Sequence, residues 1–149
     1  MSGVASGAIT SFAEVTQMLS QVELGGFTGS LQWTRHWMNP RIIYSEGMAF
    51  VADRAGAHWL LDAITSHLTH NPDLIARRQA DPDFDRLHFW FLTRHEDGSA
   101  RLECRSDSDQ PAVVTQDIEY TDFPLASFTV YAGTDGPDTP TKLFLPSEY

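Results

Sequence analysis

Cysteine is almost absent from this chain: Cys104 stands alone in 149 residues. One thiol excludes an internal disulfide and any multi-cysteine zinc or iron–sulfur site. It shares one face of a strand-like run with Leu102, which reads as a small buried core residue and not a nucleophile. Lysine is just as scarce, with Lys142 alone beside nine arginines. Ten basic residues face twenty acidic ones, a formal net charge of −10. A general nucleic-acid binder needs a cationic surface to release counterions from phosphates, so direct nucleic-acid binding is excluded. The same deficit argues against anionic membranes.

No apolar run approaches the roughly 20 residues that span a bilayer. The first ten residues, MSGVASGAIT, lack the basic and apolar regions of a secretory signal, and a cytoplasmic location is expected. The glycine run Gly25-Gly26-Phe27-Thr28-Gly29 has neither a P-loop lysine nor a preceding strand. There is no G-x-S-x-G elbow, no H-E-x-x-H and no zinc-deaminase pattern. No catalytic residue, metal ligand set or cofactor is therefore expected.

What is present is core material. The chain is 42% hydrophobic and 11% aromatic, enough for a single domain over residues 1–149, with 1–10 as a flexible tail. Its organising stretch is Met48–Leu68. Met48, Val51, Ala52, Ala55, Trp59, Ala63, Ile64 and Leu68 recur at three- and four-residue steps, the mark of a helix with one buried face. Gly56 interrupts the pattern and is placed to split it. Ser45 suits the N-cap, and Glu46 favours the positive end of the helix dipole.

An earlier helix is predicted from the capping pair Ser11 and Glu14 through about Glu23, with Phe12, Val15, Leu19 and Val22 on one face. Phe27–Met38 alternates like a strand, and Arg41–Tyr44 reads as a short strand or an extended connection. Pro72–Gln79 reads as a second short helix capped by Asn71, and Asp81–Asp85 as a loop. The period then changes. Leu87–His95 reads as a central strand buried on both faces for part of its length. Asp97-Gly98 marks a hairpin into Ala100–Arg105. Ala112–Tyr120, Ser127–Ala132 and Lys142–Leu145 follow as further strands. Helices grouped before strands indicate an α+β fold: an antiparallel sheet of about four to six strands packed on the central and N-terminal helices.

Histidines are the first candidates for chemistry. Arg54, His58 and Asp62 lie a helical turn apart and read as an exposed ladder. His67 and His70 suit a helix C-terminus. Two Arg-His pairs are more suggestive: Arg35-His36 and Arg94-His95 would converge into a carboxylate or phosphate site if their strands were neighbours.

Acidic residues concentrate between Glu96 and Asp122, where eight carboxylates face Arg101 and Arg105. Glu103, Asp107, Asp109, Asp117, Glu119 and Asp122, with the terminal Tyr149, form the candidate docking surface for a basic partner. Trp33, Trp37, Trp59, Trp90, Tyr44, Tyr120 and Tyr131 add to an aromatic and arginine content of the kind enriched at protein–protein hot spots.

The segments Phe27-Thr28-Gly29, Arg35-His36, Tyr44-Ser45-Glu46-Gly47, Trp59-Leu60-Leu61-Asp62, Tyr120-Thr121-Asp122-Phe123-Pro124 and Leu145-Pro146-Ser147-Glu148-Tyr149 resemble an uncharacterised bacterial family found on plasmids, integrative elements and phages. The resemblance covers about Gly25 to Tyr149. It implies no activity, cofactor or catalytic residue. It does imply a setting in which small acidic proteins inhibit host defence or modulate element maintenance. The expected function is a small, acidic, non-enzymatic protein-interaction module that inhibits or modulates a basic or nucleic-acid-binding host protein. Two alternatives stay open: a small enzyme or anionic-ligand binder using the Arg/His cluster, and a homo-oligomeric structural protein, such as a homodimer joined through an aromatic strand edge.

Overall fold

The structure is a computed structural model that describes residues 32–149. The tail, the predicted helix from Ser11 and the Phe27–Leu31 part of the first strand lie outside the described residues. Two short strands come first, β1 (Trp33–Arg35) and β2 (Ile42–Ser45). Four helices follow: α1 (Glu46–Ala55), α2 (His58–His70), α3 (Pro72–Ala80) and α4 (Pro82–Arg86). Then come β3 (His88–Arg94), β4 (Ala100–Arg105), β5 (Ala112–Ile118), β6 (Ser127–Gly133) and β7 (Thr141–Phe144), and a final 3-10 turn over Pro146–Glu148.

The fold is α+β, but the sheet is larger than expected and mixed. Its seven strands run in the order β1-β2-β7-β6-β3-β4-β5. The four- to six-stranded antiparallel expectation is corrected by β2, which pairs with β7 in parallel through Ile42 with Thr141 and Tyr44 with Leu143. A parallel pair needs a long crossover, and nearly the whole chain supplies it.

The organising stretch is two helices. Gly56 takes the left-handed conformation (φ 61°) that glycine adopts without strain, and it ends α1 there. Asp81–Asp85 is not a loop: Asp81 caps Phe84 N–H at 3.2 Å and Pro82 opens the five-residue α4.

Core packing follows the two-residue period of the strands. Trp90, Leu92, Leu102, Cys104, Val114, Val130 and Leu143 are buried together with Met48, Val51, Leu60, Leu61, Ile64, Leu74 and Phe84 of the helices. On the alternate positions, Phe89, Phe91, Tyr131 and Phe144 are only partly buried. Strand β3 is thus fully buried on one face, not two. Among the described residues, no helix is long and apolar enough to cross a membrane.

Candidate functional site

The strand order decides the fate of the two Arg-His pairs. Strands β2, β7 and β6 lie between β1 and β3. Register carries Arg35 across Ile43 and Lys142 to Gly133, level with the start of β3, whereas Arg94 is its last residue. The pairs are separated by about 19 Å across the sheet and about 23 Å along it, from standard strand spacings. Arg35, His36, Arg94 and His95 do not converge.

His36 is structural. It is 3% exposed, and its Nδ1 accepts the Met38 N–H at 3.0 Å. That leaves the proton on Nε2, which donates to Asp62 Oδ1 at 2.8 Å. The exposed Trp37 stacks on this imidazole and donates its indole N–H to the same carboxylate oxygen at 3.1 Å. Asp62 is therefore not on the His58 ladder; His58 meets Asp53 at 2.9 Å instead. His67 is tied to Gln116 at 2.7 Å and to Asn71 at 3.1 Å. Cys104 is fully buried, and desolvation pushes its thiol up to about 12, far from a reactive thiolate. Among the described residues, no group of three His, Cys, Asp or Glu side chains is arranged to hold a metal.

The candidate acidic surface is divided. Glu103 pairs with Arg105 at 3.0 Å, and Asp117 with Arg101 at 3.0 Å. Asp107 and Asp109 sit in the turn between β4 and β5, at the opposite end of β5 from Glu119 and Asp122. Tyr149 lies elsewhere, parallel to Phe144 with centroids 6.3 Å apart and edge-on to Tyr131 at 5.7 Å. A cleft of about 400 Å³ opens beside it, lined by Trp33, Lys142, Phe144 and Glu148 among others. Its polar groups are already engaged. Lys142 pairs with Asp135 at 2.5 Å, and Glu148 accepts from Ser45 Oγ at 2.6 Å and Leu145 N–H at 2.8 Å.

One compact patch does emerge, around Tyr120. The Asp-Gly turn between β3 and β4 places Gly98 at φ 88°. The Tyr120 ring lies on that glycine, where an added Cβ would sit 2.7 Å from it, and Thr121 N–H donates to Gly98 O at 2.8 Å. These contacts seat the post-β5 loop against the hairpin. Tyr120 stays 71% exposed. Exposed Glu119 and Asp122 flank it in the chain, and exposed Glu96 and Asp97 come from the turn beneath. Ser99 donates its hydroxyl at 2.6 Å and its N–H at 2.9 Å to Asp97, which holds that carboxyl below its usual range.

Glu96 and Asp97 lie in the acidic stretch and Tyr120 among the hot-spot aromatics of the sequence, but none of the three belongs to the candidate docking surface read from it. The Asp-Gly hairpin signal was legible, but its contact with Tyr120 crosses β4 and β5.

The chain matches no curated protein and no solved structure. A family model does match residues 18–149, and the chain belongs to that family, a family of unknown function (DUF6876).

Proposed function

We propose that this chain is a small, acidic, non-enzymatic interaction module of the cytoplasm, which seats a basic surface of another protein over Tyr120. The observation that carries this reading is the patch itself: an aromatic ring fixed on Gly98, 71% exposed, with four exposed carboxylates around it. Exposed tyrosine held in one place is a typical hot-spot anchor, because little rotamer entropy remains to be lost. None of Glu96, Asp97, Glu119 or Asp122 has a salt-bridge partner among the described residues, unlike Glu103 and Asp117. Unpaired rim carboxylates favour a cationic partner and speed its approach. A host protein whose nucleic-acid-binding surface is covered in this way is inhibited by occupation. That is the action expected of an inhibitor encoded on a mobile element.

Photocrosslinking tests the reading. A benzophenone amino acid at position 120 is irradiated in nuclease-treated host lysate. The expected product is one crosslinked basic protein, lost when Glu119→Lys and Asp122→Lys are combined. With that protein purified, Tyr120→Ala is expected to cost about 2 kcal/mol of binding. A crosslink that survives charge reversal, a crosslink only to a second copy of the chain, or no crosslink would each overturn the proposal.

A further inference from the structure

A cleft of about 220 Å³ lies where the N-terminal ends of β2 and β7 meet the helices, away from the Tyr120 patch. Arg41, Arg78, Thr139 and Thr141 are among its lining residues, and its walls are mainly polar. Thr141 is the hub. Its N–H donates to Arg41 O at 2.9 Å, and its hydroxyl oxygen accepts from Arg78 Nη2 at 2.8 Å. Arg78 is held in place: its side chain is 16% exposed, and Nε donates to Asp85 at 2.6 Å. Those two bonds use the Nε–Nη2 edge of the guanidinium and leave Nη1 unspent.

Arg41 is the more telling residue. Acids outnumber bases twenty to ten in this chain, yet the Arg41 guanidinium has no hydrogen bond or ion pair among the described residues. Asp85, the acid in the cleft wall, is already committed to Arg78. Two arginines lining one cleft, Arg78 with its guanidinium on the Thr141 hydroxyl and Arg41 with its guanidinium unpaired, offer charge and forked N–H donors to a tetrahedral oxyanion. The volume is below the usual range for whole organic ligands, about 300–1,000 Å³.

We infer that this cleft binds a phosphate group, carried by a small phosphomonoester or present as the free ion. Arg41 supplies the unpaired cation, Arg78 the fixed one, and Thr141 a hydroxyl donor. This site uses none of Arg35, His36, Arg94 or His95 and rests on no part of the Tyr120 reading.

Isothermal titration of the full-length protein with inorganic phosphate, O-phosphoserine and acetate, at matched ionic strength, tests it. Saturable binding of a phosphate-bearing probe, with acetate at least tenfold weaker, is the expected result. Tighter binding of O-phosphoserine assigns the group to an ester, and tighter binding of inorganic phosphate assigns it to the free ion. Arg41→Ala is expected to weaken the preferred probe about tenfold or more, from the loss of charge-assisted hydrogen bonds. Arg41→Lys restores part of that loss. Thr141→Val is a second variant, expected to weaken binding without removing a charge. Phosphate binding unchanged in Arg41→Ala, or heats equal for all three anions, would overturn the assignment.

Discussion

At the scale of single residues, the most consequential side chain is one that the sequence reading passed over. His88 opens β3 fully buried, stacked on Phe84 at a centroid distance of 4.5 Å. Its Nδ1–H donates to Phe84 O at 3.0 Å, so Nε2 carries the lone pair. Burial lowers its pKa from 6.5 to about 4. The folded state therefore resists a proton that the unfolded chain accepts below about pH 6.5. Stability from this group is fully present above pH 6.5 and is lost progressively as the pH falls to about 4. One proton over that window corresponds to about 3 kcal/mol. Urea unfolding at pH 7.5, 6 and 5 is expected to show this loss for the native chain. His88→Asn, whose amide retains a donor toward Phe84 O, should be less stable at pH 7.5 and lack that component of the slope. An identical slope in the variant would refute the assignment.

Elements are joined by contacts that resemble helix caps but come from far along the chain. Ser45 accepts Met48 N–H at 3.1 Å, an ordinary N-cap of α1. The same hydroxyl donates to Glu148, 103 positions later, and the Glu148 carboxylate also accepts Gly47 N–H at 3.3 Å. A carboxylate at a helix N-terminus is favoured by the backbone dipole as well as by the bonds it accepts. The 3-10 turn over Pro146–Glu148 is thus docked on the start of α1. Ser45→Ala and Glu148→Ala are each expected to destabilise the fold by about 1 kcal/mol or somewhat more. A double-mutant cycle should return a coupling near 1 kcal/mol, measured by chemical denaturation. Strictly additive losses would mean that the bond contributes nothing.

Across the whole molecule, helices cover one face of a seven-stranded sheet, and Cys104 lies between them at 0% exposure. This makes the lone thiol a reporter of cooperative opening. With its pKa pushed up to about 12 and no solvent path, it should not react with a disulfide reagent in the native state. Labelling should begin only near the urea midpoint and track loss of secondary structure. Rapid labelling without denaturant would show that β3 and β4 open independently of the rest. The same architecture keeps the Tyr120 patch and the Arg41 cleft at opposite ends of the sheet. Charge reversal at Glu119 and Asp122 should accordingly leave phosphate titrations unchanged.

The sequence by itself determined the α+β class, the buried face of α1, the break at Gly56 and the hairpin at Gly98, whereas the buried face of α2 is Leu60, Leu61, Ile64, Thr65 and Leu68, with the expected Trp59 and Ala63 only partly buried. It also marked β4 at its observed limits, Ala100–Arg105. These features are local: amphipathic period, caps and turn residues record which neighbours along the chain share a face. The five-residue α4 carried the same Asp-Pro cap signature as the Asn71-Pro72 start of α3, but it was too short to show a period. Tertiary structure alone decided that β7 inserts between β2 and β6, which parted Arg35 from Arg94. It also bound His36 to Asp62, seated Tyr120 on Gly98 and put Arg41 and Arg78 on the wall of one cleft. Each of these pairings joins segments remote along the chain, and no local pattern encodes them. They follow from how one sheet orders strands that are distant in sequence so that its core strands bury one face against the helices.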